Sequence, residues 1–179
     1  MAIRCDSKTR RPLSGGGFSL IEVLVVMIIA SIMAAVAVPT LSTLSATRAA
    51  AAQKLVLRDM SYARERAIAT GMRTWVVFNV AGNSYSLLQE PVGSPGRSNA
   101  TVMTDPGTQK AYTQTLGANQ FAGVSLVSAS FDSGAECGFD WLGKPLNSAQ
   151  NALAANGTLT LSGSKTVTVQ AGSGLIAAP

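Results

Sequence analysis

One stretch constrains this chain more than any other: an apolar run from Leu20 to Val38 whose only charged side chain is Glu22. From Phe18 to Pro39 a helix would extend about 32 Å at about 1.5 Å per residue, enough to span the hydrocarbon core of a bilayer. A carboxylate in such a helix costs roughly 2.5–3.5 kcal/mol, or more, if it reaches the bilayer centre. A chain that keeps a glutamate there is built to use it, and a buried, unpaired carboxylate has a strong reason to find a partner.

Charge is distributed to match. The formal net charge is +5, but Arg4, Lys8, Arg10 and Arg11 against Asp6 put +3 of it into residues 1–17. The pI of about 9.6 therefore belongs largely to that segment, and charge alone does not argue for nucleic acid. Basic residues precede the run, and only Arg48 and Lys54 follow at short range. The positive-inside rule then places the N-terminus in the cytoplasm and the C-terminal domain outside.

The chain has no histidine, which excludes Ser-His-Asp and Cys-His catalysis and His-ligated metal sites. There is no Gly-rich phosphate loop and no carboxylate pair of recognisable spacing, so neither an enzyme nor a cofactor is expected. Asp132, Glu136 and Asp140 read as scattered solvated acids rather than a calcium site. Cys5 and Cys137 lie on opposite sides of the apolar run and cannot pair within one inserted chain. Cys137 reads as a small buried hydrophobe in a strand, with an intermolecular disulfide as the alternative.

A secretory signal peptide would be cleaved after its apolar region, where Ala35 to Ala37 would pass for a small-residue site. Here the glycines, Gly15 to Gly17, precede the run, and the run continues into further helix-forming sequence. Gly17-Phe18-Ser19-Leu20-Ile21-Glu22-Val23-Leu24 resembles the type III signal of type IV pilins and type II secretion pseudopilins. That resemblance implies a membrane prepilin peptidase that cuts after Gly17 and N-methylates Phe18. Glu22 would then be the fifth mature residue, one helical turn from the new amine and at the favourable end of the helix dipole. In the family this glutamate is thought to meet the amine of a neighbouring subunit during assembly.

Pro39 is expected to bend rather than stop the helix, because helix formers resume between Ala46 and Ala69. Ala52, Val56, Met60, Ala63 and Ala67 recur at three- and four-residue spacing and predict one buried face, while Arg58, Arg64 and Arg66 fall mostly off it as a solvated face. Gly71 is a natural C-cap. Strand-like sequence follows over Thr74–Val80, Ser84–Gln89, Tyr112–Leu116, Gly123–Phe131, Cys137–Trp141, Thr158–Leu161 and Thr166–Val169, with Glu90–Lys110 as a long loop and Asn147–Asn156 as an ambiguous connector. The expected fold class is α+β, one long N-terminal helix packed on an antiparallel sheet.

The segments Tyr62–Gly71, Trp75–Phe78 and Phe139–Pro145, with the Leu-Thr-Leu and Val-Thr-Val strands, narrow the resemblance to H-type minor pseudopilins and minor type IV pilins of the FimT and FimU kind. The division implied is a cleaved cytoplasmic leader at 1–17, a transmembrane and assembly helix at 18–39, its periplasmic half at 40–71 and a β domain at 72–179. The function implied is a minor pseudopilin in a type II secretion fibre; the alternatives are a minor type IV pilin or a DNA-binding minor pilin of natural transformation. Partners would be other pilins or pseudopilins in a helical fibre, the prepilin peptidase, an inner-membrane assembly platform and the membrane itself. Nucleic acid is not expected. The family's usual Gly-Arg-hydrophobic ending is replaced here by Gly172-Ser173-Gly174-Leu175-Ile176, and few cations follow Ala111.

Overall fold

The computed structural model describes residues 18–132 and 134–178, the side chains of residues 36–42 excepted. The leader 1–17, with Cys5 and Gly17, lies outside the described residues. The chain divides into two compact units, before and after Thr40.

Helix α1 runs over Leu20–Thr70. It begins on Ser19, a favoured N-cap residue, whose carbonyl accepts from the backbone N–H of Glu22 at 2.9 Å and of Val23 at 3.2 Å. Position 39 lies within it. In the first unit the described side chains are solvent-facing throughout, as a lone apolar helix must be. Among the described residues no helix is long and apolar enough to cross a membrane. The described side chains of the run stop at Ala35, about 24 Å of helix from Leu20, short of a hydrocarbon core about 30 Å thick.

In the second unit the predicted stripe is the buried one. Ala52, Val56, Met60, Ala63 and Ala67 are fully buried, joined by Ala49. Burial of Val56 and Met60 contributes about 1.5–3 kcal/mol each. The helix ends because Gly71 adopts φ +68°, a left-handed conformation that costs glycine nothing, and its N–H bonds back to the Ala67 carbonyl at 3.0 Å.

The chain then forms two antiparallel sheets, where sequence reading anticipated one. The first contains β1 (Thr74–Asn79), β2 (Ser84–Gln89), β3 (Thr101–Val102) and β4 (Thr113–Thr115), together with β6 (Glu136–Phe139) and β7 (Pro145–Leu146). Its order is β3-β2-β1-β6-β7, and β4 shares the outer edge of β2 with β3, lying lower along it. The second sheet contains β5 (Leu126–Ser130), β8 (Gly157–Leu161), β9 (Lys165–Val169) and β10 (Ile176–Ala177), in the order β10-β9-β8-β5. β3, β7 and β10 lie outside every predicted strand. Two residues are too few to show a period of two.

The β1–β2 turn joins the sheets. Asn83, at φ 48°, uses its side-chain amide to donate to the Val124 carbonyl at 3.0 Å, and its Oδ1 accepts from the Leu126 N–H at 2.7 Å. Asparagine tolerates that backbone conformation better than most residues. Phe78 bridges the same gap, stacked on Phe131 at 5.7 Å between ring centroids. Cys137 is fully buried in β6, and burial pushes its thiol well above the usual range.

Candidate functional site

The start of α1 brings together one of the expected processing residues and one of the expected assembly residues. Phe18 and Glu22, one turn apart, line a single groove of ≈330 Å³ with Val23, Val26 and Met27. Phe18 is 80% exposed and Leu20 84%, so the head of the helix presents apolar surface with a single acid in it. Glu22 sits in the first helical turn, where free backbone N–H groups favour an anion. Gly17, the expected cleavage position, lies outside the described residues. Pro39 lies in α1 near the boundary between the two units. Chemically, this end can pack against apolar surface and offer one carboxylate to a cation, and nothing in it resembles an acid–base or nucleophile pair.

The second unit contains polar anchors that the sequence did not reveal. Asp59 is fully buried on the helix stripe, one turn from Val56 and one from Ala63. Its carboxylate accepts from the Tyr85 hydroxyl at 2.7 Å, from the Tyr112 hydroxyl at 3.1 Å and from the Arg58 Nε at 3.0 Å. Burial, and then the Asp59 carboxylate, push both phenols up, Tyr112 to about 12. An acid in register with an apolar stripe was the one available sign of this cluster.

The arginines off the stripe do more than meet solvent. Arg64 donates from Nε to the Gly143 carbonyl at 3.0 Å and from a terminal nitrogen to Ser173 at 3.2 Å, tying two loops to the helix. Arg58 remains largely exposed while contacting Asp59, and Arg66 reaches Gln89 at 3.4 Å. Beyond the helix, Arg97 pairs with Glu136 at 2.7 Å and lies 6.0 Å from the Trp75 ring centroid. The three acids weighed for calcium are engaged separately. Asp132 accepts from Asn147, Glu136 pairs with Arg97, and Asp140 accepts from the Leu142 and Lys144 N–H groups. Among the described residues no group of three ligand-type side chains could hold a metal ion.

Residues 15–38 match the family model of the prokaryotic N-terminal methylation motif. No curated protein matches the sequence significantly. The fold is similar to that of the minor pseudopilin EpsH from the type 2 secretion system of Vibrio cholerae, in two solved structures. One is 14% identical with a TM-score of 0.53, covering 73% of this chain and 94% of that one. The other is 13% identical, also at 0.53, covering 74% and 96%. The chain thus carries a prokaryotic N-terminal methylation motif at the head of its long helix, and its fold is similar to that of a minor pseudopilin.

Proposed function

We propose that this chain is a minor pseudopilin, a structural subunit of a type II secretion fibre rather than a catalyst. The observation that carries the reading is the methylation motif over residues 15–38 leading directly into a solvent-facing apolar helix with Glu22 in its first turn. In this reading prepilin peptidase cuts after Gly17 and methylates Phe18, and the run from 18 to 39 resides in the inner membrane with the β domain in the periplasm. The assembly platform then extracts the subunit. Leaving lipid, the apolar helix buries its surface against neighbouring helices, and Glu22 is neutralised by the amine of an adjacent Phe18. A minor type IV pilin would share each of these steps, since the same motif heads both kinds of subunit; the system that loses function on deletion of the gene separates them.

Mass spectrometry of the mature chain tests the reading. A polypeptide starting at N-methylated Phe18 is expected. An intact leader, or a cut near Ala37, overturns it.

A further inference from the structure

Where the last turns of α1 pass the outer edge of the first sheet, they leave a cavity of ≈350 Å³, near the lower end for ligand sites. One wall is the ring of Tyr62, which stacks on Tyr112 at 5.7 Å. Met72 and Met103 also line the space, with Val92 at its rim, 85% exposed. Methionine adapts to many apolar shapes and makes favourable contacts with aromatic rings.

The polar side of the cavity is unequal. Arg66 is exposed, makes one long contact from Nε to Gln89 at 3.4 Å, and forms no ion pair among the described residues. Glu90 lines the same space, but it is only 7% exposed and both its oxygens are taken. One accepts from the Arg73 N–H at 2.6 Å and the other from the Gly96 N–H at 3.0 Å. A single carboxylate reaching Arg66 therefore gains a forked donor, while a second negative charge beside Glu90 is repelled.

The edge next to the cavity is open. β3 ends its sheet, and Thr101 of β3 pairs with Gln89 of β2, both of them in the cavity lining. Met103 gives its N–H inward to the Leu87 carbonyl at 2.8 Å. In an antiparallel ladder its neighbour Val102 then turns its N–H and C=O outward.

We propose that this corner captures the C-terminal end of another polypeptide. The incoming chain adds as a strand along Val102, its α-carboxylate meets Arg66, and its last side chain, apolar, enters between Tyr62, Met72 and Met103. Main-chain bonds along an edge hold a peptide without regard to its sequence, so the selectivity lies in Arg66 and the cavity. Arg66 reads the chain end, and the cavity reads the final residue. Glu90 limits the ligand to one negative charge, which turns away phosphate-rich polymers. The site does not require the chain to be a fibre subunit.

Full-length protein in a non-ionic detergent is titrated by calorimetry with acetyl-Thr-Val-Thr-Phe, against empty micelles. Binding is expected, and amidating the peptide's carboxylate or introducing Arg66→Met should weaken it tenfold or more. Acetyl-Thr-Val-Thr-Asp should also bind at least tenfold more weakly. Val102→Pro, which removes only the outward N–H, should weaken the tetrapeptide several-fold and leave N-acetylphenylalanine unchanged. No heat from the tetrapeptide overturns the proposal, as does equal binding of its amide. Equal binding of the aspartate peptide would mean attraction by charge alone, and it too overturns the proposal. If N-acetylphenylalanine binds as tightly as the tetrapeptide, the cavity takes free carboxylates and no strand is added, which again overturns it. These arms use the unaltered protein, so they decide even where a variant unfolds.

Discussion

The hydroxyl of Tyr85 donates a 2.7 Å hydrogen bond to the carboxylate of Asp59, and both residues are almost completely buried. This pair, with Tyr112 on the second carboxylate oxygen, pins the helix to the first sheet by polar contacts as well as by packing. Asp59→Ala should cost about 3 kcal/mol, because it leaves two hydroxyls facing an apolar space. Tyr85→Phe should cost about 1.5 kcal/mol. Denaturant unfolding of the full chain in detergent should give a double variant less destabilised than the sum by about 1 kcal/mol. Additive losses would show that the two residues act independently.

The same cluster sets an alkaline limit. An unfolded tyrosine ionises near pH 10. Burial and the Asp59 carboxylate raise Tyr85 beyond that range and Tyr112 to about 12. Both folded-state values lie above the unfolded one, so the contribution is complete below about pH 10 and is lost as pH rises toward about 12. Thermal unfolding should fall most steeply above about pH 10, on top of an earlier loss that begins near pH 8.5 as the unfolded Cys137 thiol ionises while the buried one does not. Tyr85→Phe and Tyr112→Phe should each make that fall shallower; an unchanged slope would contradict the assignment.

The buried stripe of the helix was legible because burial of one helical face imposes spacing on the residues themselves. Ala52, Val56, Met60, Ala63 and Ala67 show that spacing, and all five are fully buried. Glycine at position 71 and the β-branched run at 74 were equally direct, since local conformation selects those residue types. Asp59 was not legible, because its partners lie 26 and 53 residues away and only the fold brings them to it. Nor was the split into two sheets, which depends on Asn83 and Phe131 meeting their partners across a turn. At the head of the chain, the order of residue types around Phe18 and Glu22 was explicit in the sequence. Their use depends on a neighbour, so neither local sequence nor one chain's fold displays it.

Close packing at the second sheet gives a further test. A methyl group at Gly157 would overlap the Phe131 ring, which is fully buried. Gly157→Ala should therefore destabilise the domain by about 2–3 kcal/mol. Adding Phe131→Leu should recover part of the loss, measured by the denaturant midpoint. If Gly157→Ala is neutral, the ring has room to move.

Arg64 holds the loops around Gly143 and Ser173 through two carbonyls at once. Arg64→Lys keeps the charge but loses the fork that spans them. Hydrogen exchange should quicken at residues 141–143 and 172–175 in Arg64→Lys, with a stability loss of about 1 kcal/mol. Unchanged exchange there would mean that the loops are held by other contacts.

Glu22→Gln should leave membrane insertion intact and reduce fibre incorporation by tenfold or more, about 1.4 kcal/mol per tenfold. Pelleting of sheared fibres checks it. Normal incorporation would remove the carboxylate from the assembly step.

Four of the six buried apolar residues on the domain side of the helix are alanine: Ala49, Ala52, Ala63 and Ala67. Methyl groups at these positions bring the helix backbone close to the β layer. A pull or push delivered along this part of the rod therefore reaches the sheets with little slack, so the domain travels with its helix as a stiff load.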